Sequence, residues 1–82
     1  MSTKNIKDTP LHQLVEHAMQ EYFAQLEGQM VSGVYDMVLQ EVEKPLLTAV
    51  MRYTENNQSK AAQILGLNRG TLRTKLKQHQ LI

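Results

Sequence analysis

Asn68, Arg69 and Arg73 stand close together and carry side chains that can read base edges. Arginine pairs bidentately with guanine O6 and N7, and asparagine pairs in the same way with adenine N6 and N7. Thr71, Thr74, Lys75 and Lys77 share the segment and suit phosphate oxygens. Upstream, Ser59 and Lys60 sit where a helix N-terminus offers unpaired amides and a favourable dipole to an anion. The chemistry on offer is a sequence-selective grip on a polyanion, with base readers and phosphate contacts in one short stretch.

The charge distribution fits that grip. The chain has 82 residues and a formal net charge of only +1, but the charge is segregated. Residues 1–57 hold all eight acids and four basic residues, Lys4, Lys7, Lys44 and Arg52. Residues 58–82 hold Lys60, Arg69, Arg73, Lys75 and Lys77 and no acid. A basic block without interleaved acids favours a polyanionic partner, although charge alone fits a solvated basic surface equally well.

Other chemistry has little support. The chain has no cysteine, which excludes disulfides, thiolate metal sites and a cysteine nucleophile. His12 and His17 are five residues apart and His79 is remote, so no helical His-x-x-x-His pair exists and no metal or cofactor is expected. Glu41 and Glu43 cannot share a helix face. No phosphate-loop or Gly-x-Gly-x-x-Gly pattern occurs, and no Ser, His and acid set is compelling, so an enzyme is not expected. No apolar run approaches the ~18 residues of a membrane span, and no apolar signal core follows the first lysines. A cytoplasmic location is the expectation.

The elements that must position these residues are helical. Apolar residues make up 41% and charged residues 21%, too apolar a balance for a disordered chain. Residues 1–9 are polar and predict a flexible segment. Thr9 and Pro10 signal a helix start, and the steps Leu11, Leu14, Val15, Ala18, Met19, Tyr22, Phe23, Leu26 mark one apolar face. The first helix is predicted over 10–27, with Gly28 as its stop. From Val34 to Tyr53 the apolar phase continues through Pro45. Two helices broken at Lys44 compete with one kinked helix over 34–54; the unbroken phase favours the single helix. Val38, Leu39, Val42, Leu46 and Val50 lie on its main stripe, while Met37, Leu47 and Met51 lie off it and widen the face. So wide an apolar face on so short a chain predicts a core shared with a second copy. The expected division is residues 10–54 for dimerisation and 55–82 for binding.

The remaining segment has helix-turn-helix spacing. Asn57 caps a short helix over 60–65, Gly66 ends it, and Asn68 caps a second helix over 69–79. Ala62 is small where the helices cross, Gly66 supplies a positive φ, and Leu67 and Leu72 pin the second helix. Leu76 falls one place beyond the apolar position often seen near the end of this motif. The spacing alone also fits an ordinary helical hairpin with a basic exterior. The fold class is all-α, with four helices per subunit and no convincing strand.

Three stretches resemble the Fis family, the bacterial factors for inversion stimulation. They are Tyr22-Phe23-Ala24-Gln25-Leu26-Glu27-Gly28-Gln29, Val38 to Leu47 with its proline, and Asn57 to Ala62 followed by Gly66 to Lys77. The last is also similar to the C-terminal domains of NtrC-type activators; the first two point to Fis. The resemblance implies an intertwined homodimer whose core is built by the first two helices, here through Val38, Leu39, Val42, Leu46 and Val50. It implies a nucleoid-associated protein that binds and bends double-stranded DNA with loose sequence preference and regulates transcription. The family's two recognition helices sit closer together than successive major grooves, so the DNA must bend, and deformable central steps lower the cost.

Carried over residue by residue, the family's base readers match Asn68, Arg69 and Arg73. Its backbone contacts match Asn57, Ser59, Lys60, Thr71, Thr74 and Lys75, beside Lys77. Well-known members carry Thr, Arg and Lys at positions 59, 60 and 74; Ser59 and Lys60 keep that chemistry, and Thr74 loses a charge. The turn that touches RNA polymerase in some members corresponds to Glu55, Asn56 and Gln58, with Glu55 in place of a basic residue. Long members carry an N-terminal β-hairpin arm that touches a recombinase. The nine residues before the first helix lack strand alternation, so no ordered arm and no recombinase contact are expected. The competing readings are a detached NtrC-type activator domain, disfavoured by the whole-chain coverage and the Met start, and a helical protein-interaction module whose basic tail meets an acidic partner.

Overall fold

The computed structural model describes residues 10–82, which form four helices in the order α1 (Pro10–Gln25), α2 (Val34–Tyr53), α3 (Gln58–Leu65) and α4 (Arg69–Gln78). No strand occurs among the described residues. The Thr9 cap and the expected flexible segment lie outside them. The chain divides into two compact units, one ending at Ser32 and one running Gly33–Ile82. No helix among the described residues is long and apolar enough to cross a membrane.

α1 ends two residues before the predicted boundary. Backbone at Glu27 and Gly28 turns left-handed, φ 52° and 83°, which a helix cannot continue. Tyr22 and Phe23 meet edge-on with ring centroids 5.5 Å apart. No residue of α1 is buried, and its apolar positions Leu11, Leu14 and Phe23 stand exposed.

α2 is one helix that contains Pro45, as its unbroken apolar phase predicts. Proline removes the amide that would bond the Glu41 carbonyl. One turn on, the Thr48 hydroxyl donates to the Lys44 carbonyl at 2.8 Å. The C-terminus closes on Thr54, which is buried and donates through Oγ1 to the Val50 carbonyl at 3.0 Å.

The core of the second unit joins α2 to α3 and α4. It consists of Leu47, Met51, Ala61, Ala62, Leu72 and Leu76, flanked by Val50, Leu65 and Leu81. Leu47 and Met51, the residues off the main stripe of α2, are the ones that pack inward. Burying a leucine fully stabilises by roughly 1.5–3 kcal/mol. Leu47, Leu72 and Leu76, each almost wholly buried, therefore dominate the unit. The Leu76 displacement is harmless, because it repeats Leu72 one helical turn later and both side chains reach the same core. On the main stripe, Leu39, Val42 and Leu46 remain exposed, at 48%, 42% and 48%. Val50 is half-buried and belongs in part to the intrachain core.

The α2–α3 turn places two consecutive non-glycine residues in the left-handed region, Glu55 at φ 54° and Asn56 at φ 66°. Asn56 donates its amide to the Met51 carbonyl at 2.8 Å, which ties the turn to α2. Asparagine tolerates this region; glutamate does so at a cost of about 1–2 kcal/mol, part of which a glycine returns as unfolded-state entropy. Glu55→Gly is therefore expected to raise stability by up to about 1 kcal/mol in urea denaturation. A loss of stability would show that Glu55 makes a compensating interaction.

Candidate nucleic-acid interface

The turn between α3 and α4 is built from three local devices. Asn57 caps α3, its Oδ1 accepting from the Lys60 amide at 3.0 Å. The helix begins directly after this cap, at Gln58, two residues before the predicted start. Gly66 takes φ 72° and ends α3, and Leu67 donates its amide to the Ala62 carbonyl at 2.9 Å. Asn68 then caps α4, with Oδ1 accepting from the amides of Gly70 at 2.7 Å and Thr71 at 3.3 Å. Gly70 suits that close cap, because a Cβ there would stand 3.1 Å from Asn68 Oδ1.

These devices fix what α4 shows to solvent. Leu72 and Leu76 face inward, while Arg69, Thr71, Arg73, Thr74 and Lys77 are exposed. Arg69, Arg73 and Lys77 recur every four residues and so line one flank of the helix. Asn68 commits its oxygen to the cap, which leaves the amide NH2 as a donor. Thr74 donates to the Gly70 carbonyl at 3.0 Å and keeps its oxygen lone pairs. Ser59 and Lys60 are exposed on the first turn of α3. The helix-turn-helix therefore brings ten sequence-predicted contact residues onto two adjacent helices and their caps.

Lys75 among them has a partner within the chain. Its Nζ donates to Glu43 Oε2 on α2 at 2.8 Å, so its ammonium is engaged within the chain. His79, buried, brings Nε2 to within 2.8 Å of the other carboxylate oxygen. An ionised carboxylate only accepts, so the histidine nitrogen is the donor. One acid thus bridges a residue of α4 and the residue that caps its C-terminus. The sequence reading missed this link, but two signals mark it. Glu43 lies four residues before Leu47 and eight before Met51, on the face that packs inward, and Lys75 and His79 are themselves four apart.

The hydrogen bond from Lys75, followed by that from His79, holds the Glu43 carboxyl below the ordinary glutamate value of 4.5, against the opposing effect of burial. A depressed folded value means that unfolding releases the carboxylate to bind protons more readily. The link therefore contributes fully above about pH 4.5, and the contribution is lost as pH falls through the lower folded value. Glu43→Gln is expected to be less stable than the parent at pH 7, with the gap closing under acid. A gap independent of pH would remove the ionic role from Glu43.

Residues 38–79 match the family described as "Bacterial regulatory protein, Fis family", and residues 1–31 match "DNA-binding protein Fis N-terminal domain". The chain belongs to the Fis family. It is 53% identical over 78 residues to "DNA-binding protein Fis" of Proteus mirabilis, covering 95% of this chain and 80% of that protein. It is 54% identical over 82 residues to "Putative Fis-like DNA-binding protein" of Pseudomonas aeruginosa, covering 100% and 79%. Against "DNA-binding protein Fis" of Sodalis glossinidius it is 53% identical over 83 residues, covering 96% and 85%. This Fis-family chain is thus a DNA-binding protein with a helix-turn-helix, of a regulatory family rather than an enzyme family. The family resemblance read from the three stretches holds, and the ordinary helical hairpin does not.

Proposed function

We propose that this Fis-family protein binds double-stranded DNA as a homodimer, bends it, and thereby regulates transcription and organises the chromosome on which it resides. The observation that carries the reading is the division of labour on α2. One face packs the helix-turn-helix through Leu47 and Met51, while the other leaves Leu39, Val42 and Leu46 uncovered. A second copy is the occupant that buries such a stripe with matching chemistry. Residues 10–54 then serve dimerisation and residues 55–82 serve binding. Two recognition helices held closer than one duplex turn, about 34 Å, oblige DNA to curve toward both.

In this reading Asn68, Arg69 and Arg73 meet base edges. Ser59, Lys60, Thr71, Thr74 and Lys77 meet phosphates, with the Asn57 cap orienting the first turn of α3 toward the backbone. Lys75 serves the link to Glu43 instead of the DNA. RNA polymerase meets the turn at Glu55, Asn56 and Gln58.

The test is binding to a ~30 bp duplex with an A/T-rich centre across a salt series. Each neutralised phosphate steepens the log–log slope by about 0.9. Lys77→Ala, present twice in a dimer, is expected to flatten the slope by up to about 1.8, while Lys75→Ala leaves it unchanged. Retained preference over a G/C-centred duplex supports bending, since the deformable centre is read without contact. Absence of binding at low salt would overturn the reading.

A further inference from the structure

Arg73 reaches back across the turn. Its Nη1 donates to Oε1 of Gln58 at 3.0 Å, joining residues fifteen positions apart on α4 and α3. Gln58 is the first residue of α3, immediately after the Asn57 cap, and is half-buried, whereas Arg73 is exposed. The acceptor is therefore anchored by a capped helix start, and among the described residues Gln58 is the hydrogen-bond partner of the Arg73 head.

We propose that Gln58 is a positioning residue for base recognition, which holds the Arg73 guanidinium ready over the DNA-facing side of the helix-turn-helix. The inference rests on the reading of Arg73 as a base contact. Three features of the chemistry support it. An arginine has five N–H donors, so one bond to Gln58 leaves enough for a two-point contact with a guanine edge. A carboxamide is neutral, so it restrains the guanidinium without cancelling the charge that DNA attracts. A side chain restrained before binding loses less freedom on binding, which favours the geometry that matches guanine over looser contacts with other bases. Gln58 thereby acts on specificity through Arg73 and contributes no phosphate contact of its own.

The test uses the full chain and a panel of ~30 bp duplexes in which each base pair of one half-site is changed in turn. Arg73→Ala locates the position that Arg73 reads, as the position where discrimination collapses. Gln58→Ala is expected to lower discrimination at that same position about 2- to 10-fold, as one neutral hydrogen bond would, with an unchanged salt slope. Gln58→Met, which keeps the volume and lacks the acceptor, is expected to do the same, separating lost positioning from lost packing. Gln58→Glu turns the bond into an ion pair and is expected to weaken binding to every duplex and flatten the salt slope. In the Arg73→Ala background neither Gln58→Ala nor Gln58→Met should change discrimination further.

Unaltered discrimination in both neutral variants would overturn the proposal, as would an equal loss in the Arg73→Ala background, which would mark Gln58 as a direct contact. If Arg73→Ala itself flattens no position, the base-reading role of Arg73 falls and takes this inference with it, an outcome distinct from the other two.

Discussion

Replacing Arg69 and Arg73 together with alanine is expected to lower DNA affinity at least about 30-fold, because each two-point arginine contact is worth roughly 1–3 kcal/mol. The fold should not notice. Both side chains are exposed, neither belongs to the core, and alanine is at least as good a helix former as arginine. Among the described residues, the one side-chain hydrogen bond lost is the link from Arg73 to neutral Gln58. Circular dichroism and sedimentation should therefore match the parent while the binding isotherm shifts. The salt slope should flatten as well, since two of the charges that displace counterions are gone from each subunit of the proposed dimer. Unchanged affinity would refute the assignment of the base readers and move attention to Lys60 and Lys77. The combination of intact helices and lost affinity separates a DNA-reading surface from a basic surface that serves an acidic protein.

What was legible in the sequence was local. Gly66, the Asn57 and Asn68 caps, and the α4 boundary are each set by residues within a turn of one another, and the observed hydrogen bonds fall where capping chemistry places them. The continuity of α2 through Pro45 followed from apolar phase, which one missing amide does not reset. The candidate site was legible for the same reason: Arg69, Arg73 and Lys77 share a flank by helical period alone. What stayed hidden was the choice between two apolar faces. Periodicity marked a wide stripe on α2 and could not say that Leu47 and Met51, on its margin, pack inward while Leu39, Val42 and Leu46 do not. The side-chain links from Glu43 to Lys75 and His79, and from Arg73 to Gln58, were hidden as well. They join residues 32, 36 and 15 positions apart; helical spacing sets Glu43 on the inward face and groups Lys75 with His79, but it does not say which element meets which. For Lys75 this mattered chemically: charge and position alone offered it to phosphate, whereas its carboxylate partner sits on another helix.

The two faces of α2 make neighbouring leucines report on different things, and this yields the second large effect. Leu47 is 1% exposed and Leu46 is 48% exposed. Leu47→Ala opens a cavity among Met51, Leu72 and Leu76 and is expected to cost about 2–5 kcal/mol, a large share of the stability of a domain this size. Its readout is loss of the cooperative unfolding transition of the second unit, with DNA binding lost along with it because α4 loses its support. Leu46→Asp touches little within the chain, so its intrachain cost is small. In the proposed dimer it buries an unpaired carboxylate at the shared face, which costs several kcal/mol. Sedimentation at low micromolar concentration is expected to show a dimer for the parent and for Arg69→Ala/Arg73→Ala, and dissociation for Leu46→Asp. DNA affinity should then fall through loss of the second half-site contact, with each helix-turn-helix still able to bind weakly at low salt if the separated chains remain folded. A parent that sediments as a stable folded monomer would overturn the shared-core argument. A Leu46→Asp variant that stays dimeric would place the dimer contact elsewhere, most directly on the exposed apolar positions of α1, Leu11, Leu14 and Phe23.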